Sequence, residues 1–170
     1  LENNVKAIMF NPLNGNINLN KTKRIADLAK LLQKRKIPLM IICRNGFVHA
    51  SSETTNNDLD WYEIIDFCNT YPDLPVITWE FRSRSNRQFY EALAQTENLI
   101  ICLSSVWQSQ NIKRVVDSFS ASRLVFSLGL PYLQPSAFQA VVNYADISEK
   151  DKSAIAKDNI LNILSEADYE

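Results

Sequence analysis

Short apolar runs of strand length alternate with amphipathic stretches of helix length along almost the whole chain, and this alternation limits the fold more than any single residue does. VKAIMFNP (5–12), IPLMIICR (37–44), PVITWEF (75–81), LIICLSSV (99–106) and RLVFSL (123–128) read as strands. The stretches 20–36, 57–71, 86–95, 111–119, 135–145 and 148–166 read as helices. Helix-length crossovers between apolar strands force the strands parallel through right-handed connections. The sequence therefore predicts one α/β domain over residues 1–170, with about five parallel strands.

Local chemistry supports the same reading. Asn20 is placed to cap a helix whose Ile25, Leu28, Leu31 and Leu32 share one face, and a Lys-Arg-Lys cluster closes it where the helix dipole favours cations. Trp61, Ile64, Ile65 and Cys68 fall on one side of the next helix. Ser148 and Asp151 have the spacing of a capping box. The second strand is almost continuously apolar, as a strand covered on both faces should be. Two architectures accommodate five βα units: part of a (β/α)8 barrel, or an open doubly wound sheet. FNPLNGN after the first strand carries a single glycine and no Lys-Ser/Thr, which leaves dinucleotide-binding and P-loop readings without support.

Composition narrows the partners. Eighteen basic and nineteen acidic residues give a formal net charge of −1, so no global field draws in nucleic acid or an anionic membrane. The longest uncharged apolar stretch, Ile37 to Cys43, is too short to cross a bilayer, and the first residues lack the pattern of a signal peptide. A cytoplasmic protein is expected. Cys43, Cys68 and Cys102 are odd in number and widely spaced, which predicts buried free thiols rather than a disulfide framework or zinc knuckle. The start at Leu1 rather than Met suggests a processed product or a fragment.

The order of the segments resembles the later part of the metal-dependent amidohydrolase barrel, in particular its amidohydrolase-2-like and TatD-like TIM-barrel hydrolases. Pro38 to Arg44 follows a family strand of the form P-V-x-I-H, and Tyr71-Pro72-Asp73-Leu74-Pro75-Val76 follows Y-P-D-L-P-V. Asn98 to Ser104 follows a strand that opens on Asn and closes on Ser. Arg123 to Pro131 follows R-L-x-F-G-S-D-x-P, and Ser148 to Leu164 follows the closing helix, with Asn159 in the characteristic place. The resemblance covers nearly all of the chain in the right order. It implies a partial barrel whose first βα units, with the family's H-x-H pair, would lie upstream of Leu1.

It also implies that the family's metal positions are altered. Matched residue by residue, the strand-end histidines fall on Ile42 and Glu80, and the aspartate of G-S-D falls on Gly129. A catalytic metal needs about three ligands among His, Cys, Asp and Glu with an open position for water. Isoleucine and glycine have no lone pairs, and Glu80 alone holds a transition metal poorly. His49, the one histidine, stands in a loop several residues past its strand, so Ser104 or Ser105 as a nucleophile would depend on that distant ring. No cofactor and no metal are expected.

The rim is instead polar and cationic. Alternation puts Ile42 with Arg44 and Glu80 with Arg82 at the strand ends, where parallel α/β proteins keep their sites, and an arginine there could neutralise Glu80. A solvent-facing Glu80 is equally consistent. RSRSNR (82–87) could grip an anion or be a solvated loop. Trp61, Trp79 and Trp107 could line a cleft or fill the core, and Phe126 reads as core. Candidate ligand-binding residues are thus Arg44, Glu80, Arg82, Ser104, Ser105 and Trp107. The expectation is a degenerate amidohydrolase-like protein that binds a small molecule or anion, or serves in assembly as a homo-oligomer. The alternatives are a metal-dependent hydrolase of amide or ester bonds whose remaining ligands lie upstream, and a purely structural protein.

Overall fold

Each run expected as a strand forms one in the computed structural model, which describes residues 5–43, 59–79, 86–106, 108–128 and 135–169. The strands are β1 (Ile8–Phe10), β2 (Leu39–Ile42), β3 (Val76–Trp79), β4 (Leu99–Cys102) and β5 (Leu124–Val125). The helices are α1 (Lys23–Arg35), α2 (Trp61–Thr70), α3 (Asn86–Gln95), α4 (Ser109–Ser118), α5 (Pro135–Asn143), α6 (Glu149–Ser153) and α7 (Asn159–Glu166). All four pairings are parallel and the strands lie in the order β1-β2-β3-β4-β5. A doubly wound sheet reverses its order at a switch point. Strict sequential order is the barrel arrangement, with successive right-handed crossovers on one side of the sheet. No helix among the described residues is long and apolar enough to cross a membrane.

Alternation along each strand divides the sheet into two faces. Leu39, Ile41, Val76, Leu99, Ile101 and Leu124 join the helices' Ile25, Leu32, Ile64, Phe67, Leu93, Ile112 and Val115 in the main core. Ile77, Ile100, Cys102 and Val125 form a smaller cluster on the inner face, with Met40, Trp79, Ile160 and Ile163 packed against it. Trp61, Ile64, Ile65 and Cys68 are all buried, as their spacing predicts.

Several boundaries differ from the sequence reading, each for a local reason. The first strand stops at Phe10 because Asn11 caps a 3-10 turn at Pro12–Gly15, accepting from the Leu13 N–H at 3.1 Å. Asn20 does not cap α1. Its side chain donates to the Glu63 carbonyl at 2.9 Å, and Thr22 holds the capping position. Leu31 is 46% exposed, because the buried stripe of α1 runs through Ile25, Ala29 and Leu32 instead. The closing helix is capped by Ser148, whose Oγ accepts from the Asp151 N–H at 3.1 Å, but a π turn at Ala154–Asp158 divides it.

Polar side chains fasten the amino ends of the strands. Asn98 Nδ2 donates to the carbonyls of Tyr71 at 2.8 Å and Leu74 at 2.7 Å, fixing the exit from α2 to the start of β4. Arg123 does the same between α3 and β5, and Asn159 between β5 and the closing helix.

The cysteines are free and buried, and burial pushes the thiols of Cys68 and Cys102 up to about 12. An unfolded thiol gives up its proton near 9.0 whereas the folded ones keep theirs. The stabilisation is therefore complete below that value and is lost as pH rises toward about 12. Denaturant titrations through this alkaline window should give a stability that falls more steeply for the native chain than for C68A or C102A. The expected difference in slope is about 1.4 kcal/mol per pH unit for each thiol. Equal slopes would show that these thiols are not shielded.

Candidate functional site at the strand ends

The inner face ends in a cavity of about 460 Å³ at the carboxyl ends of the strands, lined by Met9, Met40, Trp79, Cys102, Phe126, Ser127 and Leu128. Four strands contribute directly, and the segment after the fifth completes the wall. Met9 and Met40 are register partners on β1 and β2, Trp79 and Cys102 close β3 and β4, and Phe126 to Leu128 follow β5 directly. The carboxyl ends of parallel strands are where βα folds build their sites.

The described lining is soft and carries no charged side chain. Two thioethers, a thiol, an indole and a phenyl ring make polarizable walls suited to apolar and aromatic surface. Ser127 supplies the hydroxyl. Its Oγ accepts from the Ser104 N–H at 3.0 Å, and it also bonds the Cys102 side chain, which partly offsets the effect of burial on that thiol. Burial wins, and a thiol held protonated is a poor nucleophile. A second depression of about 420 Å³ between α4 and α5, lined by Gln108, Ser109, Gln110, Ala140, Val141 and Tyr144, carries no ionised side chain.

The sequence candidates distribute unevenly. Ser104 is fully buried and joins the cavity wall through its N–H bond to Ser127. Ser105 lies in the 3-10 turn Leu103–Ser105 that follows β4. Ile42 ends β2 beside Trp79, its register partner on β3. Arg44, Glu80, Arg82, Trp107, Gly129 and His49 lie outside the described residues. Trp79 lines the cavity rather than filling the main core. Phe126, read as core from the sequence, also lines it while packing against the main core. Met9, Met40, Cys102, Ser127 and Leu128 were not among the sequence candidates. Alternation could have found Met9, Met40 and Cys102, which stand out of phase with the main-core positions Ile8, Phe10, Leu39, Ile41, Leu99 and Ile101 on the same strands; nothing comparable marks Ser127 and Leu128.

A barrel of the amidohydrolase type implies a metal at this place, and the described donor set does not fit one. Ile42 offers hydrocarbon at the strand end, and the described residues that line the cavity include no histidine or carboxylate. No group of three or more His, Cys, Asp or Glu able to hold a metal occurs among the described residues.

No protein-family model and no curated protein matches the sequence. Solved structures do match in shape. 5-Carboxyvanillate decarboxylase from Sphingomonas paucimobilis superposes with a TM-score of 0.69 at 10% identity, over 95% of this chain and 58% of that one. A putative amidohydrolase from Staphylococcus aureus gives 0.67 at 12% identity, over 92% of this chain and 63% of that one. An uncharacterized TIM-barrel protein from Bordetella bronchiseptica gives 0.63 at 15% identity, over 85% and 51%. The chain thus spans a little over half the length of the structures it matches, and its fold is that of part of a TIM barrel.

Proposed function

We propose that this chain is the later part of a degenerate amidohydrolase-like barrel, one that binds a small uncharged aromatic molecule at its strand ends and performs no metal-dependent hydrolysis. The observation that carries the reading is the described lining of the cavity: Met9, Met40, Trp79, Cys102, Phe126 and Leu128 around the hydroxyl of Ser127. A carboxylate brought against those walls would lose its hydration with little in exchange, whereas a neutral ring gains apolar contact with them. Ser127 has already spent most of its bonding capacity on Ser104 and Cys102, so the ligand needs at most one polar group. The free buried thiols suit a reducing compartment, and a cytoplasmic location goes with the proposal.

Nitrobenzene quenches tryptophan fluorescence on contact and serves as the probe. It should quench saturably in the native chain and lose the saturable component in W79F, with toluene competing at least tenfold better than benzoate (about 1.4 kcal/mol). A preference for benzoate would move the reading to anion binding by Arg44 and Arg82. Elemental analysis of protein purified without chelator adds a second check. Stoichiometric zinc, iron or manganese would overturn the proposal in favour of a metal-dependent hydrolase with ligands elsewhere.

A further inference from the structure

The last two strands bring three polar residues together at one end of the cavity. Cys102 closes β4 and has Val125 of β5 as its register partner. Ser104 follows Cys102 in the 3-10 turn Leu103–Ser105, and Ser127 stands two residues past Val125. Cys102 and Ser104 are buried, whereas Ser127 is only partly so, and its side chain is part of the cavity lining.

A serine hydroxyl has one hydrogen to give and two lone pairs to fill. The Ser104 N–H fills one of them, donating to Ser127 Oγ at 3.0 Å. A backbone N–H can only donate, so that lone pair is committed. The second bond joins Ser127 to the Cys102 side chain. Burial keeps Cys102 a thiol, and a thiol brings a proton to place on a sulfur that is itself a weak acceptor. The serine oxygen is the better acceptor of the two, so the favoured bond runs from the thiol to Ser127. Both lone pairs of Ser127 are then filled, and its own O–H is left to point into the cavity. Bonds that run in one direction, from S–H to O–H to ligand, also polarise one another.

We propose that the ring held at the strand ends carries one hydrogen-bond acceptor, as an aryl ketone or aldehyde does, and that this acceptor sits on the Ser127 O–H. Cys102 is the positioning residue behind it, because its proton sets which way Ser127 donates. The proposal rests on the ring-binding reading and adds the polarity of the ligand's polar group. A benzylic alcohol offers a similar oxygen but brings a hydrogen for which Ser127 has no lone pair left.

Displacement of nitrobenzene, followed by tryptophan fluorescence, measures the preference. Acetophenone and α-methylstyrene share a shape and differ by a carbonyl oxygen against a methylene, so the ratio of their affinities isolates the acceptor. S127A should cut that ratio about tenfold, with toluene competing as it does in the native chain. The direction of the bonds is read at Cys102. The preference for acetophenone over 1-phenylethanol should fall about threefold or more in C102A, which frees a lone pair for the alcohol, and return in C102S, whose hydroxyl donates in place of the thiol. An unchanged far-ultraviolet spectrum reports an intact fold, and the Cys102 pair decides the matter even if S127A fails to fold. A ratio that S127A leaves alone, a native preference for the alcohol, or equal preferences in C102A and the native chain would each overturn the acceptor, while toluene competition left the ring-binding reading standing. A native chain that shows neither saturable quenching nor toluene competition would sink both.

Discussion

Replacing Arg123 with alanine lowers the stability of the chain by about 3–5 kcal/mol, the largest single-residue loss expected of a polar side chain here. The residue is only 9% exposed. Its Nε donates to the Leu99 carbonyl at 2.6 Å, and Nη2 donates to the Thr96 carbonyl at 2.8 Å, the Thr96 hydroxyl at 3.2 Å and the Leu93 carbonyl at 3.4 Å. Leu93 and Thr96 lie at the carboxyl end of α3, whose dipole favours a cation, so carbonyls rather than a bonded carboxylate compensate the buried charge. Burial pulls the Arg123 pKa down and nearby Glu97 opposes that. Removing the side chain strands three carbonyls and opens a void between α3, β4 and β5. For a chain of this length the loss corresponds to a fall of about 8–16 °C in melting temperature. R123M keeps much of the volume and loses every donor; R123K keeps the charge and loses the fork. Both should fall well below the native chain, with R123K the milder. A shift of under about 3 °C for R123M would mean that packing alone accounts for the residue.

Arg123 also shows how the fold was legible in the sequence while its fastenings were not. The alternation of apolar runs with amphipathic stretches depends on which residues are buried, and burial leaves a periodic trace. Trp61, Ile64, Ile65 and Cys68 are buried as their spacing requires. The partners of Arg123, Asn98 and Asn159 are backbone carbonyls twenty-four or more residues away, and carbonyls carry no sequence signal. The resemblance put Arg123 and Asn159 in their places but could not say what they hold. Leu31 marks the limit of helical periodicity itself, since one position to the side of the buried stripe is enough to expose it.

The cavity was harder to read for a different reason. Metal positions are sought as histidines and carboxylates, and Ile42 and Gly129 are visible as departures from such a pattern. Apolar lining residues announce nothing, because a methionine on a strand reads as core whichever face it occupies. Met9 and Met40 become candidates only when the parallel register sets them side by side on the face opposite the helices. Phe126 became a wall residue because β5 ends at Val125, where the Phe126 N–H turns to the Ile155 carbonyl instead of continuing the ladder. That early end rests on Asn159.

Asn159 is therefore the position where a one-atom change should have the second of the two largest effects. Its Nδ2 divides two donors between the Ala121 and Leu124 carbonyls, both at 2.8 Å, and the residue is 9% exposed. N159A strands both acceptors and should cost on the order of 3 kcal/mol. N159D preserves the shape but turns a donor toward neither carbonyl, so at neutral pH an ionised oxygen would face two carbonyl oxygens in a buried site. Its loss should exceed that of N159A. The introduced carboxyl has a raised pKa in the fold, above the unfolded value of about 3.9. The stability contributed by the protonated form is complete below that unfolded value and is lost as pH rises through the folded one. N159D should accordingly regain stability on acidification relative to N159A, since a protonated carboxyl restores one donor. Denaturant titrations of the two variants between neutral and mildly acidic pH provide the measurement. Parallel pH profiles would show that the Asn159 amide does not hold the edge of β5.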